Sequence, residues 1–96
     1  MDNLFNALGD PARVAIVEEL AERDSQSLFE LCTRLISNRG LSMSRQAIAK
    51  HLAIMRDAGL IDVSSVGRTT VHTLNHGALV RGAGWLSALA DRKGTP

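Results

Sequence analysis

The chain has 96 residues, within the usual size of one domain, and 45% of them are apolar, which excludes wholesale disorder. Only Phe5, Phe29 and Trp85 are aromatic, so the core must be built of Leu, Ile, Val and Ala, a set that suits packed helices. The net charge of +1 hides a polarity, since residues 1–33 carry seven acids and two bases, net −5, and residues 34–96 carry nine bases and three acids, net +6. Such an arrangement suggests one half that faces a polyanion and one that faces solvent. A lone cysteine, Cys32, cannot form an internal disulfide and fits a reducing cytoplasm. Met1-Asp2-Asn3-Leu4-Phe5 has neither a basic leader nor an apolar h-region, and no apolar run approaches the ~18 residues of a membrane span.

Asn3–Leu8 reads as a short helix with Leu4, Phe5 and Leu8 on one side, broken by Gly9. Asp10-Pro11 starts a second, because Asp caps free N–H groups and Pro at the first position lacks only an N–H that has no helical partner. Val14, Ala15, Ile16, Val17, Leu20 and Ala21 supply its buried stripe, and Glu18, Glu19 and Glu22 are expected to stay in water. Residues 23–26 are a connection. Ser27-Leu28-Phe29-Glu30 fits a capping box for a third helix, which runs to about Ser37 and buries Leu28, Leu31 and Leu35. Asn38-Arg39-Gly40 stops it.

Ser44 or Ser42 caps a fourth helix, continuing to about Ala58, that shows two surfaces. Ile48, Leu52 and Met55 recur at helical spacing and face a core. Arg45, Gln46, Ala49, Lys50 and Ala53 fall elsewhere, on a face that is polar or small and carries no acid. Such a face can lie close against a DNA groove. Leu60–Ser65 and Thr69–Leu74 form two strands about a turn at Val66-Gly67-Arg68. A last helix opens at Asn75 or His76 and runs to about Arg92. Leu79, Val80, Ala83, Trp85, Leu86, Leu89 and Ala90 give it apolar surface on more than one side, so it is expected to pair with another chain. The fold expected is mainly α with a small β-hairpin: a winged helix-turn-helix of four helices, two strands and a final helix, one DNA-binding domain over residues 1–96.

Leu8-Gly9-Asp10-Pro11-Ala12-Arg13, Ile16-Val17-Glu18-Glu19-Leu20, Ser44-Arg45-Gln46-Ala47-Ile48-Ala49-Lys50-His51-Leu52, Ala58-Gly59-Leu60-Ile61 and Gly67-Arg68 together resemble the ArsR/SmtB-type winged-helix repressors. The likeness covers about residues 3–90. It implies a cytoplasmic homodimer joined through the first and last helices, with Leu4, Phe5, Leu8, Leu79, Ala83, Trp85, Leu86 and Leu89 at the interface. It also implies a fourth helix in the major groove, a wing on the backbone or minor groove, and repression of a promoter until an inducer releases it. Two features depart from the pattern. Ser37–Ser42 looks like an insertion between the third and fourth helices. Cys32 matches the first position of the family's Cys-x-Cys thiolate site, but Arg34 holds the second, and a cation there opposes metal binding.

Arg45 and Lys50 suit phosphates or base edges, Gln46 suits adenine or phosphate, and Ala49 permits close approach. Ser42 and Ser44 can donate to phosphate, although capping alone explains one of them. His51 either reaches DNA or packs within the protein. Arg68, Thr69 and Thr70 at the wing suit backbone contacts, and Arg39 is a further phosphate candidate. Cys32 reads as a redox sensor or, more commonly for a lone helical cysteine, as a small packing residue. His72 and His76 are four residues apart, but the first falls in a strand and the second at the opening of a helix, and no carboxylate accompanies the histidines at a usable spacing, so neither a metal nor another cofactor is expected. There is no phosphate-binding glycine loop, nucleophile elbow or His-Glu-x-x-His, so no catalytic site is expected. The alternative to a DNA-binding regulator of an inverted-repeat operator is a winged-helix module that binds protein through its fourth helix. That reading calls for apolar residues where Arg45, Gln46 and Lys50 stand.

Overall fold

The computed structural model describes residues 2–92; Lys93, counted above among the bases of the second half, lies outside them. The element order is α1 (Asp2–Leu8), α2 (Pro11–Glu22), β1 (Gln26–Ser27), α3 (Leu28–Arg39), α4 (Arg45–Asp57), β2 (Ile61–Val66), β3 (Thr69–Leu74) and α5 (His76–Arg92). Local capping chemistry sets most of these boundaries. The Asp10 carboxylate accepts from Ala12 N at 2.8 Å and Arg13 N at 3.3 Å, with Pro11 at the first helical position. Ser27 and Glu30 complete a reciprocal box, each side chain accepting from the other's backbone N–H at 3.1 Å. Ser44 rather than Ser42 caps α4, accepting from Ala47 N at 3.1 Å. Asn75 Oδ1 accepts from Ala78 N at the start of α5.

Helix α3 runs to Arg39, two residues past the expected end. Gly40 terminates it at φ 63°, a left-handed backbone that costs glycine little, and Gly40 N and Leu41 N donate back to Ile36 O and Leu35 O at 3.0 Å each. Half of the segment expected as an insertion, residues 37–39, is therefore helix, and only residues 40–44 connect α3 to α4. Residues 23–26 are also not all connection. Gln26 and Ser27 pair with His72 and Val71 of β3, giving a three-stranded antiparallel sheet in the order β1-β3-β2. The β2–β3 register, from Ile61↔Leu74 to Val66↔Thr69, leaves Gly67-Arg68 as a two-residue turn.

One core joins these elements: Ile16 and Leu20 of α2, Leu31 and Leu35 of α3, Ile48, Leu52 and Met55 of α4, and Leu60, Ile61 and Leu74 around the sheet. Val14 and Ala21, expected in the α2 stripe, are exposed. Glu19, expected in water, is 0% exposed. It receives Arg34 Nε at 3.0 Å, Arg39 Nε at 2.8 Å and Asn38 Nδ2 at 3.1 Å. A buried carboxylate persists only with partners of this kind, and these tie the last turns of α3 to α2. Arg39 also reaches Glu22 at 3.2 Å and Glu18 at 3.8 Å. Its guanidinium is thus committed to the acidic half of the chain, which corrects its reading as a phosphate ligand. Gln26, also buried, donates to Arg23 O at 2.6 Å and Glu19 O at 3.3 Å and so closes the C-terminal end of α2.

Leu4 and Ala7 of α1 are buried in this core, and Leu8 packs against it. Gly82 lies where α5 passes α1: a Cβ there would stand 2.8 Å from Leu4 Cδ2, so a helix interior that otherwise disfavours glycine carries one. Beyond that crossing α5 runs on with little of its own chain around it. The radius of gyration is 14.9 Å, against about 12.5 Å for a compact chain of this length.

Candidate nucleic-acid interface

The site starts from the placement of α4. Its Ile48, Leu52 and Met55 are buried, which turns Arg45, Gln46, Ala49 and Lys50 outward, all four exposed, with Ala53 half-buried beside them. Ser42 and Ser44 are exposed just before the helix, and the Ser44 oxygen accepts as its cap while its O–H remains able to donate. Across from α4 the hairpin projects Arg68, Thr69 and Thr70, all exposed. Between helix and hairpin lies a cleft of about 180 Å³ lined by Ala49, Ala53 and Arg56 on one wall and Val63, Thr70 and His72 on the other. Small side chains on the helix wall keep it open.

The charge on this surface is available. Among the described residues Arg45, Lys50 and Arg68 form no ion pair, whereas Arg13, Arg34 and Arg39 are all bound to carboxylates of their own chain. Arg56, which the helical pattern did not single out, lines the cleft and pairs with its neighbour Asp57, at 3.3 Å on an exposed surface where such a pair adds little. Arg45 has one neighbour of note. Its guanidinium carbon stands 5.4 Å from the centre of the Phe29 ring, on the second residue of α3.

His51 departs from the rest of the group. It is half-buried on the side of α4 that meets α2, and its Nδ1 lies 3.1 Å from Arg13 Nη1. A guanidinium only donates, so this contact is a hydrogen bond when the imidazole is neutral with its proton on Nε2. The packing alternative for His51 is the one this geometry favours, and it sits at the border of the outward face.

The residues expected at a subunit interface divide in the same way. Leu4 is 6% exposed in the core, while Leu8 and Leu79 are half-buried against it. Packing within the chain takes up much of the surface of these three, Leu4 and Leu8 from α1 and Leu79 from the start of α5. Phe5 is half-buried against Trp85, with ring centroids 5.3 Å apart and planes at 40°. Ala83, Trp85, Leu86 and Leu89 remain exposed, Trp85 at 45% and Leu86 at 51%, with Val80 as a further exposed apolar residue on α5. Cys32 is half-buried against the core. His76 Nε2 lies 4.0 Å from Asp24, and among the described residues no three His, Cys, Asp or Glu side chains are grouped to hold a metal. No helix is long and apolar enough to cross a membrane, again among the described residues.

A helix presented outward beside a basic-tipped hairpin, both set on a small helical core, defines a winged helix-turn-helix protein. Comparison with known proteins agrees. A family model described as a helix-turn-helix domain matches residues 8–64. An uncharacterized HTH-type transcriptional regulator, YuzN of Bacillus subtilis (strain 168), is 47% identical over 75 residues, which cover 78% of this chain and 82% of that protein. The arsenical resistance operon repressor of Escherichia coli (strain K12) is 36% identical over 58 residues, which cover 60% of this chain but only 44% of that protein. Among solved structures, an ArsR-like transcriptional regulator from Rhodococcus sp. RHA1 superposes with a TM-score of 0.82 at 35% identity, over 95% of this chain and 77% of that one. The chain belongs to the ArsR-type winged helix-turn-helix family of DNA-binding transcriptional regulators.

Proposed function

We propose that this chain is a homodimeric repressor that lays α4 of each subunit into successive major grooves of an inverted-repeat operator. The observation that carries this reading is the outward face of α4, where Arg45, Gln46 and Lys50 surround small Ala49 and neither cation is ion-paired among the described residues. Arg45 and Lys50 meet phosphates or guanine edges, Gln46 meets adenine, and Ser42, Ser44, Arg68, Thr69 and Thr70 hold the backbone. Arg56 joins them as a backbone contact from the cleft. The exposed apolar face of α5, Trp85 and Leu86 above all, supports the dimer, since α5 has too little of its own chain to cover it. Two-fold symmetry then spaces the half-sites about 34 Å apart. This is a binding protein rather than an enzyme, working in the cytoplasm, where its duplex would be. The name borne by the Escherichia coli relative favours repression as the mode.

The test is a mobility shift on duplex DNA from upstream of the chain's own gene, repeated over a range of salt. The expected result is a specific complex that Arg45→Ala and Lys50→Ala each weaken. For any residue that touches only phosphate, the slope of log affinity against log salt falls by about 0.9. Unchanged affinity and slope in both variants would remove α4 from the interface.

A further inference from the structure

The Arg45–Phe29 pair is unusual for each of its members taken alone. Phe29 is 62% exposed at the start of α3, where a large ring gains nothing from the core. Arg45 is the first residue of α4, and a cation there stands against the positive end of the helix dipole. A scattered exposed apolar residue needs no explanation by itself. A guanidinium 5.4 Å from the ring centre does, because this is within the range of a cation–π contact.

The chemistry of the partner matters more than the strength of the contact. Arg34 and Arg39 are fixed by carboxylates, and those bonds use their N–H groups: Arg34 Nε and Arg39 Nε both donate to Glu19. A guanidinium held by an aromatic face is fixed through its π surface, so its five donors stay free around the rim. No carboxylate pairs with Arg45 among the described residues, so its charge is not cancelled either. A long, flexible side chain thereby loses rotamer freedom before the ligand arrives, which is the condition for paying less entropy on binding.

We infer that Phe29 is a positioning residue for DNA recognition: its ring seats the Arg45 guanidinium at the N-terminal end of α4 and leaves its donors free for the duplex. This rests on the DNA-binding reading above and adds to it a residue on α3, outside the helix that enters the groove. The pairing crosses two helices, so it also couples the orientation of α3 to the aim of the first residue of α4.

The experiment uses the full chain and the duplex that the wild-type protein enriches from a random-sequence library, with affinities read by fluorescence anisotropy. Phe29→Ala is expected to weaken binding 2- to 5-fold, the equivalent of an exposed cation–π contact of about 0.5–1 kcal/mol. Phe29→Tyr and Phe29→Trp should bind as the wild type does, and Phe29→Leu, apolar but without a π face, should bind like Phe29→Ala. In an Arg45→Ala background, Phe29→Ala should cost nothing more. In the free protein the Arg45 side-chain protons should show an upfield ring-current shift that Phe29→Leu abolishes. Phe29 is exposed, so its variants keep the fold, which circular dichroism verifies. Wild-type affinity in Phe29→Leu, or equal losses in both Arg45 backgrounds, overturns the role of Phe29 and leaves DNA binding standing. A wild-type chain that enriches no duplex overturns both.

Discussion

Arg13 Nη1 and His51 Nδ1 meet at 3.1 Å although the two residues are 38 positions apart. They belong to the two stretches that carry the family likeness, Gly9-Asp10-Pro11-Ala12-Arg13 and Lys50-His51-Leu52, so these stretches are one structural unit. Arg13 Nε also donates to Ala7 O at 2.7 Å, near the end of α1. One planar, five-donor side chain therefore fixes the end of α1, the start of α2 and the middle of α4, the helix that presents the candidate interface. Arg13→Ala should lower stability by about 1–3 kcal/mol, since it strands part-buried acceptors, and Arg13→Lys should recover little because an ammonium cannot span them. Urea unfolding monitored by circular dichroism reads both; a midpoint unmoved by Arg13→Ala would show that the clamp is incidental.

Glu19, further along α2, anchors that helix to the last turns of α3. Removing the shared carboxylate leaves Arg34 and Arg39 without their closest partner, a change that costs roughly 3–5 kcal/mol for a fully buried pair. Both arginines are partly exposed and retain Glu22, so Glu19→Ala should cost about 3 kcal/mol, the low end of that range. Amide exchange localises the effect: the N–H groups of Gly40 and Leu41, which close α3, should lose protection first. Uniform loss along the chain, or none, would mean that Glu19 does not pin the end of α3.

The difference between these two anchors and the helix caps shows what the sequence makes legible. Asp10, Ser27 and Ser44 act on residues two or three positions away, so short patterns reveal them. The outward face of α4 follows equally from the period of Ile48, Leu52 and Met55. Glu19 sits among Glu18 and Glu22 in an ordinary acidic stretch, and its partners are 15 to 20 residues away on another helix. Only the packing of α2 on α3 buries it. Strand β1 has no local signal for the same reason, being two residues defined by pairing with β3. The seating of Arg45 on Phe29 likewise depends on how α3 meets α4. Helical periodicity ranks positions by burial, and it gives no weight to a pair formed at the exposed margins of two helices.

Two carboxyl groups make stability depend on acid. Burial opposes the charge of Asp10, but hydrogen bonds from the Ala12 and Arg13 backbones, with the nearby Arg13 and His51, outweigh it and hold its carboxyl below the ordinary value. The Ser27 backbone N–H, chiefly, does the same for Glu30. A carboxyl whose folded value is lowered adds stability at pH above its unfolded value, and that contribution disappears as pH falls through the folded one. The protein should therefore lose stability from about pH 5 downward. Asn caps nearly as well as Asp, so Asp10→Asn combined with Glu30→Gln should differ little from the wild type at pH 7. Its unfolding midpoint should fall less steeply on acidification, and equal slopes for the two proteins would place the acid sensitivity elsewhere.

The subunit contact proposed for α5 makes a prediction that separates it from folding. Trp85 packs on Phe5 by one face and leaves nearly half its surface in water, and Leu86 and Leu89 extend the open surface along the helix. Apolar area of this kind is stable in solution when a second copy covers it, and a two-fold axis requires the same residues from each copy. Trp85→Ala together with Leu86→Ala should therefore give monomers by sedimentation velocity at concentrations where the wild type is dimeric. The helical signal should be nearly unchanged, because these side chains are not in the core formed by Ile16, Leu20, Leu31 and Met55. Operator affinity should fall in parallel, since one half-site then binds without the other held beside it. Dimers that persist in the double variant would place the contact on another surface. Monomers that bind the operator undiminished would show that one α4 reads it alone, and the inverted-repeat geometry would then have no structural basis.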